Sequence, residues 1–240
     1  MMFPEFETYS VQLKERQDRW ERLVKLSRDL TISSKRFIFA LHRAASQPLN
    51  QRKETAERCA SDALPKIKSL FQSIAKEVDQ TSFWKYHRAF TPGCQEFAEG
   101  YSFYWWLTQG NLVGFDRLAS VEVSAGCVSS EDWCLGVLDL TGELMRHAIN
   151  CVSRGDNETC AEVCVFLQSV QRSMTAVVMS EGGRTIKDAK AKLEVLDASV
   201  AKVEQAVYRA TIRRNELITL KASAILPPPP PSSSILNEDE

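Results

Sequence analysis

The chain has 240 residues, a formal net charge of -1, 44% hydrophobic residues and 25% charged residues, a composition typical of a globular protein with a sizeable core. No apolar run reaches the roughly 20 residues that a membrane span needs, and the near-neutral charge excludes nucleic-acid binding through bulk charge alone. Only 10 Gly and 9 Pro are present, which disfavours an all-β sandwich because that fold needs frequent turns.

In the first half of the chain, hydrophobic spacing predicts helices and no convincing strand. The first helix covers about residues 6–45 and ends before Pro48; the second covers about 51–78, with Pro65 starting a new segment or causing a kink. Residues 83–90 form a short aromatic and basic segment. Thr91-Pro92 is then typical of an N-cap and first helical position, which predicts a helix over 92–108.

In the second half, glycines separate the predicted elements. A connection over 111–129 is followed by helices over about 130–152, 156–178 and 185–220. The sequence therefore predicts one all-α domain over 1–221, a bundle of about seven helices with long antiparallel helices. Residues 222–240 are predicted to be a disordered Pro/Ser-rich and acidic tail, whose Pro227–Pro231 run is a candidate ligand for an aromatic-lined groove of another protein.

Two carboxylate pairs on otherwise apolar helices are candidate metal ligands. Glu96 and Glu99 are three residues apart on one helix, and Asp139 and Glu143 are four apart on another, so each pair shares a face. If these helices pack together, the four carboxylates raise one another's pKa values unless a cation neutralises them. Such oxygen ligands suit Mg²⁺ or Mn²⁺, ions that activate water against phosphate esters. Solvated acidic pairs have the same spacing, so spacing alone leaves both interpretations open.

By charge, the first helix is the best candidate for nucleic-acid binding, with nine basic and four acidic residues between positions 10 and 45. Arg19, Arg22 and Arg28 either follow nucleic-acid phosphates or form salt bridges on a solvated helix. Arg88 directly precedes the helix of Glu96. It either holds a phosphate near the carboxylates or forms a structural ion pair.

The histidines and cysteines are weaker candidates for chemistry. His147 falls on the same helix stripe as Asp139 and Glu143, where it either assists proton transfer or is satisfied by a neighbouring side chain. Cys160 and Cys164 lack the spacing of a zinc site and are predicted to be small core residues. Because the N-terminus shows no secretory signal, all seven cysteines are expected to be free thiols.

Several of these segments resemble the translin family, and the similarity covers about residues 7–220. The similar segments are Glu21–Asp29, Ser34–Arg36, Leu41–Arg43, Tyr86–Ala89, Thr91–Glu99, Leu135–Arg146 and Ala201–Tyr208. The chain resembles the translin-associated branch of that family more than translin itself. Translin keeps a glutamate at the position of Glu143 but lacks acidic residues matching Glu96, Glu99 and Asp139.

The resemblance implies a fold, a partner and an activity. Family members are all-α subunits of seven helices that assemble with translin into a closed, roughly octameric shell and bind single-stranded RNA and DNA. It further implies that Glu96, Glu99, Asp139 and Glu143 form a Mg²⁺-dependent endoribonuclease site, used in passenger-strand removal during RNA interference and in tRNA processing. The alternative is a non-catalytic translin partner that binds single-stranded RNA or DNA and stabilises the complex. We expect a cytoplasmic and nuclear location, with nuclear import through a partner.

Overall fold

The computed structural model describes residues 4–79 and 81–225, which form α-helices and one 3-10 turn and, within those ranges, no strand. The helices are α1 (Pro4–Ala45), α2 (Leu49–Glu77), α3 (Phe83–Gln109), α4 (Phe115–Leu118), α5 (Val121–Ser124), α6 (Ser130–Ser153), α7 (Asn157–Met179) and α8 (Ala189–Ile225). The all-α prediction is confirmed, and the described part of the chain forms six long helices and two of a single turn. None of the described helices is long and apolar enough to cross a membrane.

The long helices form a bundle in which α1, α3, α6 and α8 run parallel to one another, while α2 and α7 run in the opposite direction. The contacts between α1, α2, α3 and α6 that fix these directions are Ser27–Phe90 and Lys35–Glu96 (α1 with α3), Arg22–Glu77 and Ala40–Cys59 (α1 with α2), and His87–Asp132 and Trp106–His147 (α3 with α6). Asp139–Lys192 and a groove lined by both Ile149 and Ala206 orient α8 along α6. Gln168–Glu204 and Gln171–Asp197 orient α7 against α8. The connection over 110–129 carries the chain back along the bundle, so that α3 and α6 lie side by side in the same direction.

The predicted helix start at Thr91-Pro92 is wrong, because α3 begins at residue 83 and continues through Pro92. A proline inside a helix removes a backbone hydrogen bond and crowds the preceding turn. Ser27 of α1 supports the backbone at this point. Its hydroxyl donates to the Phe90 carbonyl oxygen (3.3 Å) and accepts from the Gly93 N–H (3.2 Å). The other internal proline, Pro65, likewise leaves α2 in one piece.

Some predicted helix ends agree with the structure and others do not. Gly110, at a φ of 73°, ends α3, and the Asp156 carboxylate caps α7 by accepting the Thr159 N–H at 3.1 Å. By contrast, α8 begins later than predicted, after a 3-10 turn and a left-handed Asp188 with a φ of 66°. It also continues past the predicted end to Ile225. The rest of the predicted tail, including Pro227–Pro231, lies outside the described residues.

The core is one apolar cluster to which all six long helices contribute, and it is rich in aromatic side chains. Its largest fully buried members are Phe37, Phe71, Phe90, Phe97 and Phe103. Burial of such rings contributes roughly 2–3 kcal/mol each. Cys160 and Cys164 are buried in the same apolar cluster, which confirms their prediction as core residues. All seven cysteines are free thiols.

Candidate functional site

A close contact between α3 and α6 underlies the candidate site. Gly136 of α6 lies against α3, where an added Cβ would be 2.6 Å from the Ala98 Cβ and 2.8 Å from the Gln95 carbonyl oxygen. No larger residue allows this approach without moving a helix. The contact lies within about a turn of Glu99 on α3 and of Asp139 on α6. The two helices therefore meet where both carry their carboxylate pairs.

The four predicted carboxylates lie within electrostatic reach of one another. Glu99 is only 9% exposed, and it makes no hydrogen bond or ion pair with any described residue. Burial, followed by the charges of Glu96, Asp139 and Glu143, raises the pKa of Glu99 to about 8. Burial also raises the pKa of Glu96, although the nearby Lys35 opposes this change. The structure thus places a buried, unpaired carboxylate among three others.

Each of the other three carboxylates is paired with a basic side chain from another helix. The pairs are Lys35–Glu96 (3.7 Å from Nζ to Oε2), His42–Glu143 (a hydrogen bond from Nε2 to Oε2) and Lys192–Asp139 (2.5 Å from Nζ to Oδ2). The hydrogen bond to His42 is the main cause of a lowered pKa at Glu143. Basic groups of α1 and α8 therefore hold the carboxylates that α3 and α6 present.

Sequence reasoning did not connect these basic residues with the carboxylates. Lys35 and His42 are seven residues apart, two turns of α1, and so share a helix face. That spacing was an available signal that both point at one site. Lys192 had no such signal, because it pairs with Asp139 across 53 positions.

The carboxylate set fits a hard divalent cation by its chemistry. Carboxylate oxygens are the ligands that Mg²⁺ and Mn²⁺ prefer. A bound cation would stabilise the ionised form of Glu99, which burial and the neighbouring carboxylates disfavour. Among the described residues, however, no three His, Cys, Asp or Glu side chains are arranged as a ready metal cage. Three of the carboxylates are turned instead to their basic partners.

Of the four predicted nucleic-acid residues, Arg19 and Arg22 are engaged within the chain. Arg22 forms a bidentate ion pair with Glu77 of α2, in which both hydrogen bonds are 2.9 Å long. The Arg19 guanidinium lies 5.6 Å from the centre of the Tyr86 ring, in cation–π contact. For Arg22 the structure thus shows the salt-bridge alternative, although the partner lies on another helix.

Arg28 and Arg88 lie together at a groove between α1 and α3. The groove has a volume of about 460 Å³ and is also lined by Val24, Ser27, Thr31, Ile32, Ala89 and Pro92. Neither arginine forms an ion pair with a described residue. Pro92, at one edge of the groove, is one turn before Glu96 on α3. A basic groove therefore leads along α3 toward the carboxylates.

His147 lies apart from the carboxylate stripe on which its spacing placed it. The side chain is 2% exposed, and its Nε2 is 3.6 Å from the Cys151 Sγ. Burial, with a contribution from nearby arginines, lowers its pKa to about 4. The ring is thus satisfied by its neighbours, as the second interpretation of the sequence held.

The sequence is similar to known proteins over most of its length. The profile of the Translin family matches residues 18–214. The chain is 34% identical over 236 residues to translin-associated protein X of Pongo abelii, covering 88% of this chain and 79% of that protein. It is 30% identical over 212 residues to the translin-associated protein X homolog of Schizosaccharomyces pombe, covering 88% and 89% of the two chains.

Solved structures share the fold at much lower sequence identity. The chain superposes on the crystal structure of apo-NeC3PO with a TM-score of 0.69 at 15% identity, covering 88% of this chain and 99% of that one. The AfC3PO–duplex RNA complex gives a TM-score of 0.66 at 17% identity, with 88% and 98% covered. At these identities the likeness concerns the fold alone.

Proposed function

This chain belongs to the translin family, and from that premise we propose that it is the nuclease subunit of a complex with translin that cuts single-stranded RNA. The observation that carries the proposal is the meeting of Glu96, Glu99, Asp139 and Glu143 around the α3–α6 contact, with Glu99 buried and unpaired. That AfC3PO was solved with duplex RNA supports an RNA ligand for this fold. As the family resemblance implies, we expect a roughly octameric assembly, single-stranded DNA as a second ligand, and roles in RNA interference and tRNA processing.

The four carboxylates are the residues that would hold Mg²⁺, or Mn²⁺ in its place. A bound ion of this kind supplies an activated water and stabilises charge on a phosphate. The basic partners have a separate role: His42 and Lys192 orient the side chains of Glu143 and Asp139. Glu99 has no such partner, so we expect a bound cation to change its orientation and ionisation more than those of the other three carboxylates.

The groove of Arg28 and Arg88 is the proposed path of the RNA backbone. Both guanidinium groups are free of ion pairs within the described chain and lie at the same groove. Arginines of this kind bind phosphates and make the affinity dependent on salt. Since the groove ends about one turn before Glu96, a strand lying in it runs toward the carboxylates.

The alternative function is a non-catalytic translin partner that binds single-stranded RNA or DNA and stabilises the complex. One observation favours it: within the described residues, three of the four carboxylates are already paired with Lys35, His42 and Lys192. Under this alternative the carboxylates are a structural ion-pair cluster, and the arginine groove alone serves the nucleic acid.

The test is cleavage of a fluorescent single-stranded RNA by this chain co-expressed with translin. We expect cutting in Mg²⁺, none in EDTA, and none by the Glu99→Gln complex in Mg²⁺. Glu131→Gln, an exposed change on α6, is the matched control and should cut normally. In parallel, replacing Arg28 and Arg88 with Gln should weaken RNA binding and flatten its salt dependence.

The two functions give different results in this experiment. An unmutated complex that assembles and binds RNA but does not cut it in Mg²⁺ supports the non-catalytic partner. Loss of assembly in Glu99→Gln, measured by size-exclusion chromatography with light scattering, assigns that carboxylate a structural role.

A further inference from the structure

An exposed phenylalanine lies beside the carboxylates on α1. Phe39 is four residues after Lys35 and three before His42, the two α1 residues that contact Glu96 and Glu143. Its side chain is 60% exposed. A ring at this position of the helix lies about one turn from each of the two contacts with the candidate site.

The surroundings of Phe39 differ from those of its neighbours in sequence. Phe37 and Ile38 are 1% and 7% exposed and belong to the core. The Phe39 ring instead meets the guanidinium of Arg43, which lies 5.3 Å from the ring centre, within cation–π range. Arg43 forms no ion pair with any described residue. The pair therefore presents an aromatic surface and an unneutralised positive charge to solvent.

The same stripe of α1 is strongly basic. At 100° per residue its members fall within about 100° of arc; they are Arg28, Ile32, Lys35, Arg36, Phe39 and Arg43. Between positions 28 and 43 the sequence contains one acidic residue, Asp29. Positive groups interleaved with an exposed aromatic ring are the combination that binds single-stranded nucleic acid, with phosphates on the charges and bases stacked on the ring.

We propose that Phe39, backed by Arg43, is a stacking platform for one unpaired base of the RNA, next to the phosphate presented to the carboxylates. This inference rests on the RNA-binding part of the proposed function and adds a specificity residue to it. The charge of the stripe favours a polyanion over an apolar protein surface as the occupant.

Stacking at Phe39 has a consequence for substrate choice. A base becomes available to the ring only when it is unpaired, so the platform selects single strands over duplexes. Because every base has a π face, it does so with little preference for sequence. Arg28 and Arg88 bind the phosphate backbone of the RNA farther along α1 and α3, whereas Phe39 stacks on a base.

The experiment measures binding by the complex with translin in EDTA, where no cutting is expected. Two probes of equal length and charge are compared: a single-stranded oligoadenylate RNA and the same backbone with abasic sites. Phe39→Leu should weaken binding of the oligoadenylate about tenfold, in the range known for base–aromatic stacking, and leave the abasic probe unchanged. Phe39→Trp should restore binding.

Tyr208→Leu is the control, because Tyr208 is 66% exposed on α8 and its loss should alter neither probe. Equal losses on the two probes, or no loss on either, overturn the proposal. So does a change of assembly in Phe39→Leu without a base-dependent loss, which would mean that a protein surface covers the ring. A complex that shows the base-dependent loss but never cuts RNA in Mg²⁺ supports the platform and contradicts the nuclease.

Discussion

At the scale of single residues, Asp132 joins the start of α6 to α3. Its carboxylate is fully buried and accepts from the Ser129 N–H (3.1 Å) and hydroxyl (2.8 Å), from Thr91, and is bonded to His87 Nε2 (2.7 Å). Burial alone would raise the pKa of this carboxyl, but the hydrogen bonds, led by His87, hold it below the ordinary 3.8. Asp132 is therefore a capping residue that also fixes the angle between two helices.

We expect Asp132→Asn to lower the free energy of unfolding by about 3 kcal/mol, since the amide leaves buried donors without their charged acceptor. The lowered pKa means that the wild-type carboxylate stabilises the fold fully above the unfolded value near 3.8 and loses that effect as the pH falls through its folded value. The variant has no carboxylate at position 132 to titrate. The difference in the free energy of unfolding between the wild type and Asp132→Asn should therefore shrink below about pH 4. Urea unfolding at pH 7 and pH 3.5 measures this, with Glu131→Gln as the exposed control. A deficit independent of pH would contradict it.

At the scale of elements, the sequence predicted which segments are helical better than it predicted where one helix ends and the next begins. The periodicity of α1, α6 and α7 depends on residues within each helix, and their predicted ranges agree with the structure to within a few residues. The continuity of α3 through Pro92 depends on Ser27, 65 positions earlier, which satisfies the backbone beside the proline. No local pattern contains that information, so the sequence predicted a break there.

The α3–α6 contact gives an element-scale prediction. Gly136→Ala puts a methyl group 2.6 Å from the Ala98 Cβ, so we expect the helices to separate at a cost of about 1–3 kcal/mol. Gly142→Ala on the same helix meets nothing within 4 Å and should be neutral, or stabilising by up to about 1 kcal/mol through helix propensity. Thermal unfolding of both variants measures the difference. Equal stability in the two would show that the glycine contact does not limit the approach of the helices.

At the scale of the whole molecule, the carboxylates of the candidate site could be predicted from the sequence, whereas their basic partners could not. The carboxylate pairs were visible because i,i+3 and i,i+4 spacing places residues on one helix face. Their basic partners come from helices at the two ends of the chain, and the pairing of Lys192 with Asp139 exists only once α8 lies along α6. The arginines show the same limit, since charge alone did not distinguish the paired Arg22 from the unpaired Arg28.

Because the carboxylates meet only in the folded bundle, a divalent cation that binds them should stabilise the whole molecule. Binding to the native state alone adds about 2.7 kcal/mol at a hundredfold excess over Kd. We therefore expect Mn²⁺ or Mg²⁺ to raise the unfolding temperature of the complex with translin, and EDTA to reverse the increase. Asp139→Asn removes one candidate ligand and leaves Lys192 without its ion-pair partner. The cation should therefore raise the unfolding temperature of this variant by less. Asp62→Asn, an exposed change on α2, should keep the full increase. If Asp139→Asn and Asp62→Asn respond equally to the cation, the carboxylate cluster is not the metal site, and its ion pairs with α1 and α8 are its function.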